Sequence, residues 1–284
     1  MILILAILAC SQPQGQLDQG PPPLRFSAIP DHDTTMLRQK FDPVAAYLSD
    51  ALQVPVEYVP ATDYTASVEM FKNGDIGLAW FGGLTGVQAR RAVEGAHAIA
   101  QGVEDPEYYS YFIANDEIGL VASDDFPMEI ASHSFTFGSQ SSTSGRLMPE
   151  HFIRESTGQG PAAFFDQPYG FSGAHDKTAR LVASGRVDVG VLNYKTWDKL
   201  AAEGVVEGAS VIWKTPVYAD YNFTAHPDLE TVYGEGFTAR LQTALVEMER
   251  EELLAAMSRS GLIEAEDADF EAIAQIAWAL EMVN

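Results

Sequence analysis

An α/β protein of two lobes is the fold class that three features of the chain predict. Short apolar, β-branched stretches alternate with amphipathic helical ones, the pattern of strands and helices packed in layers. The alternation comes in two blocks, roughly 24 to 93 and 110 to 192, with no sequence repeat between them. A length of 284 residues is more than one core usually fills. Each lobe is expected to hold a mainly parallel sheet flanked by helices.

Residues 1 to 10, Met-Ile-Leu-Ile-Leu-Ala-Ile-Leu-Ala-Cys, are too short to span a bilayer and read as the apolar part of a secretory signal. Ile7-Leu8-Ala9-Cys10 resembles the lipobox of bacterial lipoproteins, in which the cysteine becomes a lipid-bearing first residue. Cys10 is the only cysteine, so no disulfide forms within the chain. A basic stretch before the apolar run is missing, since no Lys or Arg precedes Arg25. Residues 11 to 23, rich in Gln, Gly and Pro without apolar periodicity, read as a tether.

The folded part opens on a strand at 24 to 30. A helix is expected from 35 to 52, where Leu37, Phe41, Val44, Ala45 and Leu48 recur at helical spacing, and then a strand at 54 to 59. A helix at 64 to 73, a strand at 75 to 81 and a helix at 84 to 93 complete the first block. The second has expected strands at 110 to 114, 119 to 122, 134 to 137 and 187 to 192, and helices at 150 to 156 and 178 to 184. Two amphipathic helices, 237 to 258 and 267 to 283, close the chain.

The charge balance excludes one class of partner. With 40 acidic and 17 basic residues the formal net charge is -23, a poor surface for nucleic acid. It says little about a small ligand, because the field in a site is set locally. Catalytic signatures are missing as well: no Gly-x-Ser-x-Gly elbow, no phosphate-binding P-loop and no His-Glu-x-x-His. His32, His97, His133, His151, His175 and His226 are scattered without ligand spacing, and no metal or cofactor is expected.

In such sheets, ligands bind beyond the carboxyl ends of strands, where loops lead into helix N-termini. The stretch 138 to 149, Gly-Ser-Gln-Ser-Ser-Thr-Ser-Gly-Arg-Leu-Met-Pro, stands in that kind of position, after the strand at 134 to 137. Free backbone N–H groups together with the hydroxyls of Ser142, Thr143 and Ser144 make an anion cradle that needs no lysine. The same residues also suit an ordinary helix cap. Comparable pairs of readings hold for Tyr64 (packing or ligand contact), Trp80 and Phe81 (core or cleft wall) and Asp188 (strand framework or site). His175, in a loop after Ser-Gly-Ala, has no packing reason to be there and reads as a site residue.

Several segments, in order, carry a resemblance: Phe26-Ser27-Ala28-Ile29-Pro30, Thr62-Asp63-Tyr64, residues 73 to 82 (Asn-Gly-Asp-Ile-Gly-Leu-Ala-Trp-Phe-Gly), Tyr109-Ser110-Tyr111-Phe112-Ile113, residues 142 to 149, Ser172-Gly173-Ala174-His175-Asp176 and Val187-Asp188-Val189-Gly190. Together they resemble the phosphonate-binding-protein family of ABC-transporter solute receptors. Phe-Ser-Ala-Ile-Pro-Asp and Trp-Phe-Gly-Gly-Leu-Thr-Gly are similar to the branch labelled as selenate receptors. The resemblance implies a type II periplasmic binding fold with two crossing segments, placed near 114 to 119 and 213 to 221. That puts 24 to 115 and 217 to 284 in one lobe and 116 to 216 in the other. It carries ligand contacts onto Tyr64, Ser142, Thr143, His175 and Asp188, and less directly onto Tyr108, Tyr109 and Tyr221, with Phe81 and Ser144 lining the same cleft. The residues before Asn222 read Tyr218-Ala219-Asp220-Tyr221, where amine-binding relatives place a second carboxylate, and the register there is open.

The expected protein is thus a monomeric, lipid-tethered receptor in the periplasm or on the outer face of the cell membrane. It would capture a small oxyanion, selenate-like or else phosphonate, phosphite or phosphate, for an inner-membrane ABC permease. Two alternatives stand beside it: a sensing subunit for a membrane kinase on the same fold, and a serine hydrolase built from Ser142, His175 and Asp188.

Overall fold

The computed structural model describes residues 20–31 and 34–283. Cys10 and the rest of the signal and most of the tether stretch lie outside the described residues, as does His32. The first lobe is built from β1 (Leu24–Ala28), α1 (Thr34–Leu52), β2 (Val56–Tyr58), α2 (Tyr64–Lys72), β3 (Leu78–Phe81), α3 (Gly83–Ala92) and β4 (His97–Gly102). The chain then crosses to β5 (Ser110–Asn115), β6 (Phe135–Phe137), α4 (Met148–Thr157), α5 (Pro161–Phe164), β7 (Gly170–Phe171), α6 (His175–Ala183), β8 (Val189–Asn193), α7 (Tyr194–Ala202) and β9 (Ala209–Lys214). It returns to the first lobe for β10 (Asn222–Ala225), α8 (Asp228–Tyr233), α9 (Phe237–Val246), α10 (Glu251–Met257), β11 (Leu262–Glu264) and α11 (Glu271–Ala279).

The sheets run β11-β4-β10-β3-β1-β2 and β7-β6-β8-β5-β9. Both are mixed. In the first, β1 pairs in parallel with β2 and β3, whereas β10 is antiparallel to both β3 and β4. In the second, β6 is parallel to β7 and β8, whereas β5 is antiparallel to β8 and β9. The expectation of mainly parallel sheets is refined for a simple reason. A strand that arrives from the other lobe enters its sheet at the cleft end, where the parallel strands finish, and so runs against them.

The apolar spacing read from α1 buries Leu37, Phe41, Val44, Ala45 and Leu48 against the first sheet, with Phe26, Phe41 and Tyr58 forming one aromatic cluster at ring separations of 5.2 to 6.0 Å. The strand expected at 119 to 122 is irregular chain, and Val121 there is exposed. Strands β4, β7, β9, β10 and β11 and helices α5, α7 and α8 went unseen in the apolar pattern, and the expected helix 237 to 258 breaks into α9 and α10.

The first crossing falls earlier than the expected 114 to 119, whereas the second lies within the expected stretch 213 to 221. Residues 110 to 115 pair within the second sheet, so the first crossing is 103 to 109 and the second 215 to 221. The two connections lie side by side: Tyr108 and Tyr218 exchange backbone hydrogen bonds of 2.9 Å, and Asp220 N–H donates to the Asp105 carbonyl at 3.1 Å.

Candidate functional site

Five helices start at the cleft. Tyr64 opens α2 behind the N-cap Asp63, Gly83 opens α3, Thr143 opens a π-helical turn (Thr143–Leu147) leading into α4, His175 opens α6 and Tyr194 opens α7 behind the N-cap Asn193. Each N-terminus contributes partial positive charge and backbone N–H groups without internal acceptors. A chain with a formal charge of -23 thereby presents anion-attracting helix starts at the cleft without a lysine or arginine in the cradle.

The lobes touch across this cleft. Leu84 N–H of α3 donates to Thr143 Oγ1 at 2.9 Å, Asn193 Nδ2 donates to Tyr221 OH at 3.2 Å, and the Thr65 and Ser141 hydroxyls stand 3.4 Å apart. The arrangement is a closed one.

Around the cradle, Ser142 Oγ accepts from Gly145 N–H at 2.9 Å, which caps the π-helical turn, so the cap reading of this stretch is correct as far as Ser142 goes. Capping and anion binding are compatible, because the cap uses an acceptor lone pair and leaves the hydroxyl proton to point elsewhere. Gly138 and Gly145 make the turn possible by close approach. A Cβ on Gly145 would stand 2.9 Å from Ser142 Oγ, 3.1 Å from the Gly138 Cα and 3.2 Å from His175 Cε1. His175 is 1% exposed, and its Nδ1 accepts from Asn193 N–H at 3.3 Å. That bond fixes the neutral tautomer with its proton on Nε2, so the ring presents a donor at that atom. Tyr64 is buried, with its hydroxyl beside Ser142. Burial pushes its phenol well above the ordinary value, so it stays a neutral donor.

Asp220 completes the site and was not foreseen as part of it. It is 1% exposed; Oδ1 accepts from Gly83 N–H at 2.9 Å, and Oδ2 has no hydrogen-bond partner, although the Thr143 and Ser144 hydroxyls lie beside the carboxylate. Burial pushes its carboxyl up to about 7, and the nearby charge of Asp105 adds to that, against the Gly83 bond and the Thr143 and Ser144 hydroxyls. The only sequence signal was its place in the return crossing, next to Tyr221. Asn193 was likewise missed. It ends β8 in a run that reads as plain strand, and nothing in the local pattern marks its amide as a bridge to Tyr221.

Tyr64, Ser142, Thr143, Ser144 and His175 are therefore brought together, with Tyr108 and Tyr221 forming the wall on the side of the crossings, their rings 5.4 Å apart. Three expected contacts are not brought in. Asp188 lies just before β8, at the end opposite Asn193 and roughly 17 Å of strand away from it. There its Oδ2 accepts from Ser134 N–H at 3.0 Å and Ser134 Oγ at 2.8 Å, with His133 3.8 Å away, and its side chain is 35% exposed. The framework reading of Asp188 is the right one. Phe81 packs its ring on Phe71 at 5.7 Å in the core, because alternation along β3 turns the neighbouring Trp80 toward Tyr221 instead; only the backbone after Phe81 reaches the cleft. Tyr109 stacks on Tyr194 at 3.9 Å under the Lys214 ammonium, packs edge-on against Tyr111 as well, and makes no ring contact with Tyr221 such as Tyr108 makes. With Asp188 elsewhere, and His175 Nδ1 facing a backbone N–H, no serine-hydrolase triad exists.

Residues 26–270 match the family of periplasmic substrate-binding proteins of phosphonate ABC transporters. The chain belongs to that family. It is 35% identical over 274 residues, 93% of this chain and 92% of the relative, to a probable ABC-transporter phosphite-binding protein, PhnD1, of Prochlorococcus marinus. It is 30% identical over 240 residues, 78% of this chain and 73% of the relative, to a phosphate-import protein, PhnD, of Mycolicibacterium smegmatis. The crystal structure of P. marinus PhnD1 in complex with methylphosphonate superposes with a TM-score of 0.87 over 93% of this chain and all of that one. The aliphatic-sulphonate-binding protein SsuA of Escherichia coli, 14% identical, shares the fold over 93% of this chain and 89% of its own, with a TM-score of 0.59.

As a family member the chain is a type II periplasmic binding protein, the solute receptor of an ABC importer, and not an enzyme. It captures a small oxyanion between its lobes for an inner-membrane permease, and neither the kinase-sensor nor the hydrolase alternative is favoured.

Proposed function

We propose that the ligand is a phosphorus oxyanion bound with one proton shared between it and Asp220: phosphite or a small phosphonate such as methylphosphonate. The observation that carries this is the Asp220 carboxylate, buried at the base of a cradle otherwise made of donors, with Oδ2 unpaired. A ligand P–OH satisfies that oxygen even when Asp220 is ionised, whereas selenate and sulfate bring no proton near neutral pH and meet a like charge as soon as Asp220 loses its own. Tyr64, Ser142, Thr143, Ser144 and His175 supply the donors for the remaining ligand oxygens. The names of the relatives, concerned with phosphite, phosphate and methylphosphonate, point the same way and not toward the selenate-like dianion.

Closure removes water from these contacts and strengthens each of them. The contacts of Thr143 with Leu84 and of Asn193 with Tyr221 then hold the closed form that a permease reads. A monomer on a lipid anchor at Cys10 would keep such a receptor near its permease; the motive is the lone cysteine after an apolar run, followed by a tether.

The test is calorimetric titration of ligand-stripped protein with phosphite, methylphosphonate, phosphate, sulfate and selenate at pH 6 and 8, in buffers of different ionisation enthalpy. Binding of a phosphorus oxyanion with proton uptake at pH 8 is expected. Selenate or sulfate binding more tightly than every phosphorus compound would refute the reading.

A further inference from the structure

Behind the wall formed by Tyr108 and Tyr221 stands a buried cation that the proposed ligand chemistry does not use. The Arg259 guanidinium lies over three aromatic rings, at 4.7 Å from Tyr221, 5.0 Å from Tyr108 and 5.5 Å from Trp80. It forms a two-pronged pair with Asp105, Nε to Oδ2 at 2.8 Å and Nη2 to Oδ1 at 2.6 Å, and its Nη1 donates to the Met257 carbonyl at 2.7 Å. Both side chains are almost fully buried, at 2% and 0% exposure.

Gly102 is what lets the arginine in. A Cβ there would clash with the Arg259 Cδ and stand 2.6 Å from Asp105 Oδ2.

Three aromatic faces and a carboxylate around one charge are the chemistry by which proteins hold ammonium and guanidinium ligands. The location matters as much as the composition. Asp105 and Tyr108 belong to the first crossing and Tyr221 to the second, directly after Asp220, while the Tyr221 hydroxyl reaches Asn193 of the other lobe. A substituent on phosphorus that points toward the crossings meets Tyr221 and Tyr108, with the cage immediately behind them.

We infer that Arg259 fills, from within the chain, a cation subsite adjoining the anion cradle, and so restricts the receptor to compact anions by excluding ligands that carry an amino group on a short tail. This rests on the phosphorus-oxyanion reading only for the head group; the cage can be tested without it. With Arg259 in place, the ammonium of an aminoalkylphosphonate would find the Asp105 carboxylate and the three ring faces already occupied by the guanidinium. Removing the side chain leaves the Asp105 carboxylate facing an empty aromatic box that a small cation fits.

The experiment compares wild type, Arg259→Ala and Arg259→Lys in calorimetric titrations with methylphosphonate and 2-aminoethylphosphonate. Thermal unfolding is followed in parallel with and without millimolar methylguanidinium, sodium chloride serving as the ionic control. Wild type should prefer methylphosphonate by about tenfold or more. Arg259→Ala should narrow or reverse that preference and gain thermal stability from methylguanidinium, which wild type should not. Arg259→Lys, which refills the cage with an ammonium, should retain the preference. If Arg259→Ala does not fold, refolding in methylguanidinium gives the same readout. Equal wild-type affinity for the two phosphonates, an unchanged preference in folded Arg259→Ala, or no effect of methylguanidinium on that variant would each overturn the inference. If wild type binds no phosphorus compound at all, the proposed function fails, and the methylguanidinium effect alone decides the cage.

Discussion

Replacing Asp220 by Asn should stabilise the ligand-free protein at neutral and alkaline pH while leaving its stability near pH 4 almost unchanged. A buried carboxyl pushed from its ordinary 3.8 to about 7 favours the protonated form in the folded state. The unfolded chain releases that proton above about pH 4 and the folded protein only near pH 7, so the unfolded state gains on the folded one throughout that window. The gap between 3.8 and about 7, at about 1.4 kcal/mol for each pH unit, corresponds to about 4 kcal/mol lost by wild type between pH 4 and pH 7 and constant above it. Local relaxation reduces this figure, so about 2 to 4 kcal/mol is expected in practice. Asn keeps the acceptor for Gly83 N–H, and its amide can donate to the Thr143 and Ser144 hydroxyls in place of the charge. The assay is urea unfolding of both proteins, stripped of ligand, from pH 4 to 9. The difference in stability should grow from near zero at pH 4 to its full value by about pH 8. Parallel profiles for the two proteins would show that Asp220 is not held as a strained carboxylate and would remove the physical basis for the shared proton.

Ser142→Ala with Thr143→Val should remove two donors to a charged ligand at about 1.5 to 3 kcal/mol each, weakening phosphite or methylphosphonate binding by roughly a hundredfold or more in a calorimetric titration. Asp188→Asn should leave ligand affinity unchanged and cost about 1 kcal/mol in urea unfolding, because it disturbs only the Ser134 bonds at the far end of β8; a large loss of affinity would contradict the placement of that residue. Gly145→Ala forces a methyl group against Ser142 Oγ and the Gly138 backbone, so lower affinity together with a lower melting temperature is expected, and a variant that binds like wild type would show that the turn is not held tightly. Full-length protein expressed in a bacterial host should partition into the detergent phase, and its Cys10→Ser variant into the aqueous phase; identical partitioning would exclude the lipid anchor.

The sequence by itself determined the α/β class, the main elements of the first block and half of the site. Apolar spacing located α1, α2 and α3 because one buried face writes a period into the chain, and the run from Ser142 to Ser144 was legible because hydroxyls and glycine at a strand-to-helix turn are local chemistry. His175 stood out as a loop histidine without a packing reason. The strand direction at the crossings, the burial of Asp220 and the placement of Asp188 were decided only by the tertiary structure. Asp188 and Asp220 are both aspartates beside apolar stretches, and no local pattern separates them. One faces Ser134 at the outer end of a strand; the other is enclosed where two helix starts and two crossings meet. Arg259 shows the same limit most plainly, since its cage is assembled from residues 80, 105, 108 and 221, brought together from both crossings and the end of β3. Periodicity records which side of its own element a residue faces, whereas the charge and dielectric around a side chain depend on what other elements place against it, and that is a property of the folded chain alone.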